Sequence, residues 1–327
     1  MGNRIIISKL YFLISLFFLT LPLFSGSETI GTYGGAFMKI PSGSAKFQAL
    51  GSNGVSYLEG SDAMSVNPAG IAASQMKEVN FSYISWFSDY SGKYISYVQP
   101  IDQYVLGFNL GYFSIDGFDA RDEGGIPLNS EDIKVKDYYG SITLAKSFML
   151  EKLLLGASLK TVNEDNYLKK QNNLFIYDAG FLVKISRKLS LGYSGQNMGA
   201  KNKEVVSVQR YGLTWKFNPF LLVTVDQKKF SDDNSKTGFG VEFNVPEELL
   251  QLGKIVIRTG YTDTVSYGRN YEDKTMKNLG LDKISGWSFG IGIYSAQSLG
   301  NVFGLDFAMT PFGALGKTSQ FTLKYQF

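Results

Sequence analysis

Asp116, Asp119, Asp122 and Glu123 crowd one short stretch, and paired carboxylates at such spacing are the raw material of acid–base chemistry or calcium binding. Their order matches no EF-hand loop, and acidic residues in an outer loop serve solvation equally well. Asp232 and Asp233 read the same way. The chain has no His and no Cys, so it can build neither a Ser-His-Asp nor a Cys-His site, and it lacks the usual zinc ligands. Gly238-Phe239-Gly240 and Gly290-Ile291-Gly292 stand inside alternating stretches, not between a strand and a helix, so a phosphate cradle has no structural context. They serve better as small residues that leave room for something packed against them. The expected chemistry is therefore not that of an enzyme, and no cofactor or metal is expected. Asp306, Lys324, Arg258 and Glu242 are expected to face an interior and to pair with one another, with an enclosed segment or with water.

The elements that place these residues are strands. Beyond Met76 the dominant pattern has period two, punctuated by turn residues. Trp287, Phe289, Ile291 and Ile293 alternate with Ser288, Gly290 and Gly292, and Phe303, Leu305, Phe307 and Met309 alternate with Gly304, Asp306 and Ala308. Phe321, Leu323, Tyr325 and Phe327 alternate with Thr322, Lys324 and Gln326. Comparable stretches give about 14 strands of roughly 8–12 residues, long enough to cross a bilayer when tilted. The gaps alternate, with short ones such as 100–102, 186–188 and 218–220 and long ones such as 116–136 and 262–285, as periplasmic turns and outer loops do. Pro246 opens a stretch, 246–252, suited to about two turns of helix.

An all-β sandwich shares this alternation. Abundant aromatics on the apolar face, small and polar residues opposite them and a strand ending on Phe327 favour a transmembrane antiparallel β-barrel. With 19% charged residues and a mean hydropathy of −0.05, a helical bundle is excluded. The one long apolar run, Leu10 to Phe24, follows Arg4 and Lys9 and ends in Ser25-Gly26-Ser27, as a cleaved signal peptide does. Its loss lowers a net charge of +3 to about +1, and no basic stripe suggests a nucleic-acid partner. The expected organisation is a signal peptide over 1–27, a plug over 28–77 and a barrel over 78–327. Fourteen strands enclose more space than inward side chains fill, so a plug is required.

The plug centres on Asn67-Pro68-Ala69-Gly70. Pro68 fixes its own φ and biases Asn67 toward extended geometry, Asn67 offers side-chain hydrogen bonds, and Gly70 releases the chain afterwards. Upstream stand Phe37, Lys39, Lys46, Leu50-Gly51 and Asp62-Ala63. In order and spacing, "AFMKIPSGSAKFQALG…SDAMSVNPAGIA" resembles the N-terminal signature of the PorV/PorQ-type outer-membrane barrels, relatives of the FadL long-chain fatty acid transporters. Lys46 stands where that family usually has Arg, and Leu50 where Met is common. Ser52-Asn53-Gly54-Val55 replaces a small G-A-Y stretch.

The resemblance implies a bacterial outer-membrane location and a hatch at Asn67-Pro68-Ala69-Gly70 whose rearrangement opens a path. Separately, the terminal Phe327 on the apolar face, with Phe321, Leu323 and Tyr325, resembles the signal that the barrel-assembly machinery reads in bacterial outer-membrane proteins, and outer-membrane lipid is expected around the wall. The first functional expectation is a FadL-like conduit for hydrophobic small molecules such as long-chain fatty acids. It calls for apolar lumen residues, for which Ile84, Trp86, Ile142 and Leu144 are the candidates. The alternative is a PorV-like accessory barrel that binds secretion components through its rim, where Phe118, Ile126, Pro127 and Leu128 would form an apolar patch. A structural or adhesive surface protein is the third.

Overall fold

Alternation is satisfied in three dimensions by closing the strands on themselves. The computed structural model describes residues 33–41, 43–86, 90–115, 121, 124–126, 135–165, 170–200, 204–246, 253–263, 285–295, 300–312 and 316–327. The expected signal peptide and the first residues of the expected plug lie outside them.

The strands are β1 (Glu78–Ser85), β2 (Ser91–Ile101), β3 (Tyr104–Ile115), β4 (Val135–Phe148), β5 (Leu153–Asp165), β6 (Lys170–Lys184) and β7 (Leu189–Met198). They continue with β8 (Val208–Lys216), β9 (Leu221–Phe230), β10 (Lys236–Asn244), β11 (Gly253–Thr262), β12 (Trp287–Ser295), β13 (Val302–Pro311) and β14 (Lys317–Gln326). Each pairs antiparallel with its sequence neighbours, and β1 pairs with β14 from Glu78↔Gln326 to Ser85↔Ser319, so the barrel is closed with fourteen strands. Closure leaves no sheet edge. Lys77 and Phe327 exchange both backbone hydrogen bonds at 3.0 Å where the barrel's two ends meet.

Side chains sort by parity. Phe81, Ile95, Phe108, Leu110, Phe289, Ile291, Leu305 and Leu323 stand exposed on the outer face. Asn80, Ser82, Ser96, Thr143, Thr214, Thr224, Thr318 and Thr322 are buried inside. Polar residues are buried here because the interior is occupied. The segment from residue 33 to residue 77 threads the enclosed space, and its partners lie all round the wall. Ala45 N–H donates to Thr322 Oγ1 at 2.8 Å, and Gln48 Nε2 donates to Thr318 and Thr310 at 2.9 and 3.2 Å. Gly54 and Val55 N–H donate to Asp226 at 2.6 and 3.0 Å, and Ser61 N–H donates to Glu78 at 2.8 Å.

This inner segment enters at the long-loop end, where Gly35 N–H donates to Glu164 at 2.6 Å and Val206 N–H to the Gly34 carbonyl at 3.0 Å. It leaves at the short-turn end, at Lys77. Its longest regular pieces are a helix over Ala45–Ala49 and a 3-10 helix over Pro68–Ala73. Phe47, Leu50, Val55, Leu58, Ala63 and Val66 give it a small apolar core of its own.

Candidate functional site

Asn67 is fully buried and holds three elements together. Its Nδ2 donates to the Val55 carbonyl at 2.8 Å and to the Phe181 carbonyl of β6 at 3.1 Å, while its Oδ1 accepts from Ala69 N–H at 3.1 Å. It has the extended backbone (φ −148°, ψ 108°) that a following proline favours, and it caps the 3-10 helix that Pro68 begins. The wall is shaped to receive this turn. A Cβ on Gly156 of β5 would collide with the Pro68–Ala69 peptide, and one on Gly180 of β6 with the Asn67 side chain. Gly70 does not release the chain as expected, because the 3-10 helix runs on to Ala73. Glycine is needed there for room, since a Cβ would meet the Leu58 carbonyl and Ala63. Met64, Ala69 and Ile71 pack on Val98, Val105, Ala145, Leu154 and Leu182 of the wall.

The other signature residues are also docking groups. Asp62 accepts from Ser44 Oγ at 2.6 Å and pairs with Lys324 at 3.1 Å, and Lys324 also reaches Glu78 at 3.1 Å. Burial works against a charged Asp62, but Lys324, then Lys46 and the Ser44 hydroxyl, outweigh it and hold the carboxyl at about 2. Lys46 lays its ammonium 4.5 Å from the Tyr57 ring centre, and Tyr57 donates to Glu242 at 2.5 Å. Burial, reinforced by Glu242, keeps that phenol protonated. Lys39 pairs with Asp232 at 2.6 Å. Leu50 and Ala63 are fully buried, and the Gly51 carbonyl accepts from Lys228 at 3.0 Å. The four charged residues expected inside do face inward. Arg258 bonds Glu242 at 2.8 Å and Asp306 at 2.5 Å, and Lys324 bonds the inner segment. Each charge in this set has a partner, and through Lys324 on Asp62 and Glu242 on Tyr57 the set holds the segment in place.

A second apolar region of the wall is rich in aromatic rings. Under the long-loop end, Ile84, Tyr94, Phe113, Tyr139, Val162 and Ile176 form a chamber against the wall of β1 to β6. Phe37 of the inner segment fills it, 5.3 Å from the Phe113 ring and 6.3 Å from that of Tyr139. Burial of that ring is worth about 1.5–3 kcal/mol. Tyr90 stacks on Phe113 at 6.0 Å and donates to Asp137 at 2.7 Å; burial, then the Asp137 charge, keeps it protonated. Trp86 packs against the chamber and edge-on to Phe312 at 5.6 Å.

Of the four candidate lumen residues, Ile84 and Trp86 thus face inward. Ile142 and Leu144 do not: they are 58% and 49% exposed on the outer face, while Ser141, Thr143 and Ala145 take the inner positions of β4. The apolar parity of β4 is its outward parity, as on the neighbouring strands. Ile142 instead lines a hollow of about 820 Å³ on the outer face of β2 to β6, with Ile95, Phe108, Leu110, Leu159 and Phe175. Asn109 and Lys160 border both this hollow and a narrow cleft inside the wall. Sequence reasoning missed Tyr94, Phe113 and Tyr139, although their parity with Ser96, Asn109 and Ser141 signals large rings on the small-residue face.

Phe321, Leu323 and Phe327 lie exposed on the outer face, with Tyr325 stacked between Phe303 and Phe327 at 4.5 and 5.2 Å. The acidic cluster at 116–123, the proposed rim residues Phe118, Pro127 and Leu128, and the helical stretch after Pro246 lie outside the described residues. Ile126 is exposed. Among the described residues, no group of three or more acids is placed to hold a metal ion.

No family model matches the chain, and no curated protein matches it. Solved structures do resemble it. The toluene transporter TodX of Pseudomonas putida shares 14% identity over 86% of this chain and 95% of its own, with a TM-score of 0.53. The toluene transporter TbuX of Ralstonia pickettii shares 14% over 86% and 97%, with a TM-score of 0.53. A FadL homologue of Pseudomonas aeruginosa shares 10% over 88% and 98%, with a TM-score of 0.52. At such identities the likeness is one of fold.

Proposed function

We propose that this chain is an outer-membrane conduit for hydrophobic small molecules, closed by the inner segment acting as a plug. The observation that carries the reading is the aromatic chamber with Phe37 inside it. Just below the long loops the interior offers an apolar, aromatic-lined site, and the chain's own side chain fills it. An apolar molecule entering from that end gains the same burial that Phe37 has, and Phe37 must withdraw to admit it. The fold shared with two toluene transporters and a FadL homologue supports the reading, and the cargo named for those proteins enters here as inference.

The apolar outer face, with Trp215, Phe217, Phe220, Phe303 and Phe327 near the short-turn end, supports a wall set in lipid. On this reading residues 1–27 are removed on export, and β14 presents Phe321, Leu323, Tyr325 and Phe327 for assembly. The resemblance of the N-terminal signature to that of the PorV/PorQ-type relatives of FadL supports the same reading. Asn67-Pro68 is the seat from which the plug moves.

The absence of cysteine allows a direct test. Ala49 of the inner segment packs on Ala308 of β13, so Ala49→Cys with Ala308→Cys would tie plug to wall. Uptake of radiolabelled toluene and dodecanoate is measured in cells that depend on this barrel. Uptake should fall when the pair is oxidised and recover on reduction. Equal uptake in both states would refute a moving plug, and uptake no higher than in cells without the barrel would refute the conduit.

A further inference from the structure

The hollow on the outer face of the wall has its cause in the strand register. Ile95 of β2, Leu110 of β3, Gly140 of β4, Thr161 of β5 and Phe175 of β6 stand side by side in one outward row. Gly140 has no side chain and Thr161 a short one, so the row is interrupted between Leu110 and Phe175. Leu110 leans over the gap, 3.1 Å from where a Gly140 Cβ would stand. One row nearer the short turns, Phe108, Ile142 and Leu159 complete the lining. The hollow of about 820 Å³ reaches from β2 to β6, about 20 Å across at the usual interstrand spacing. The β3–β4 and β4–β5 ladders keep one register from end to end, so it is a dent in a continuous wall.

The next row toward the long loops has a different chemistry. Tyr83, Lys93, Tyr112 and Tyr138 stand side by side across β1 to β4, all exposed on the outer face. Lys93 is two residues from Ile95, about 7 Å along β2. Among the described residues Lys93 forms no ion pair. Nor do β1 to β4 carry an acid on the outer face, since Glu78 and Asp137 are buried inside. Lys136, nearer the loops, already stands opposite Asp165. Tyrosines on an outer wall mark the membrane interface, and their hydroxyls, with the Lys93 ammonium, are donors suited to phosphate oxygens. A cation and three phenols therefore stand at headgroup level, directly above an apolar dent.

We infer that this face is a built site for one membrane lipid, a phosphate-bearing, multiply acylated lipid of the leaflet at the long-loop end. Its phosphate sits on Lys93 and the tyrosine row, and its acyl chains lie in the dent over Gly140. Chains in a concave surface meet more partner atoms than on a flat wall, which sets this lipid apart from those that merely surround the barrel. A neutral lipid would fill the dent and leave Lys93 without an anion. The inference rests on the wall being set in lipid and is independent of the cargo.

The test uses the full-length protein, stripped of lipid in maltoside detergent and titrated with diphosphoryl lipid A or its dephosphorylated form under native mass spectrometry. One lipid A should bind per barrel, about ten-fold more tightly than the dephosphorylated lipid, because charge-assisted hydrogen bonds are at stake. Lys93→Gln should erase most of that preference and leave the dephosphorylated lipid unaffected. Gly140→Leu fills the dent and should weaken both lipids about ten-fold, while Val225→Leu, outward on β9, should weaken neither. Heat-modifiable electrophoretic mobility reports folding. Equal affinity of the wild type for the two lipids, or unchanged binding in Gly140→Leu, would overturn the site. So would displacement of lipid A by dodecane, which would give the dent to cargo, or a dimer abolished by Gly140→Leu, which would give it to a second copy. A folded barrel that stays monodisperse without detergent would overturn the lipid-set wall as well.

Discussion

Asn67→Ala is the sharpest perturbation of the docked inner segment. It removes three hydrogen bonds, to Val55, Phe181 and Ala69, from a side chain with no solvent access. At about 1 kcal/mol net for each, the inner segment loses about 3 kcal/mol of hold on the wall and on itself. That corresponds to about a hundred-fold rise in the population with this turn undocked. The strand ladders themselves do not use Asn67, so the barrel should still close. Hydrogen–deuterium exchange in detergent separates the two levels. Amides of residues 54–73 should exchange about a hundred-fold faster than in the wild type, while those of β12 to β14 keep their rates. Unchanged exchange over 54–73, or a uniform rise across all strands, would refute the assignment of Asn67 as the seat of the segment.

Gly156→Val drives a side chain into the Pro68–Ala69 peptide, so the barrel should assemble with this turn displaced and newly open to protease; a resistant turn would contradict the fit. Asp62 is more acidic in the folded protein, at about 2, than the usual value near 4, so its contribution is complete above that usual value and is lost as pH falls through the folded one. Protection of residues 44–64 against exchange, taken relative to the intrinsic amide rate at each pH, should therefore be flat at pH 5 and above and fall between about pH 4 and 2, a change absent in Asp62→Asn. Ile142→Arg places a charge on the lipid side of β4 and should cost about 2–4 kcal/mol in urea unfolding from lipid. No loss there would argue that Ile142 does not face the bilayer.

The strands were legible because parity is local. Each residue faces one side or the other, and the outward set Trp287, Phe289, Ile291 and Ile293 is the same in the sequence and on the wall. The inward charges followed from the same rule, since Asp306 and Lys324 share parity with small residues. Parity also corrects the reading of Ile142 and Leu144, which belong to the outward set of β4. What local pattern does not carry is which strands meet across the interior. Phe37 stands far in sequence from Phe113 and Tyr139, and the meeting of Lys39 with Asp232 depends on how the inner segment threads. The role of Gly70 was misjudged for a related reason: its constraint is the nearness of Leu58 and Ala63, not its own backbone angle.

The central claim is that the interior carries an apolar small molecule. Native mass spectrometry of the protein released gently from its own outer membrane tests it most directly. The expected spectrum shows the barrel with one bound mass in the range of an acyl chain or hydrocarbon, lost when Trp86→Gln changes the wall of the aromatic chamber. A bare barrel carrying a stoichiometric protein partner would contradict the claim and turn the reading toward a secretion accessory.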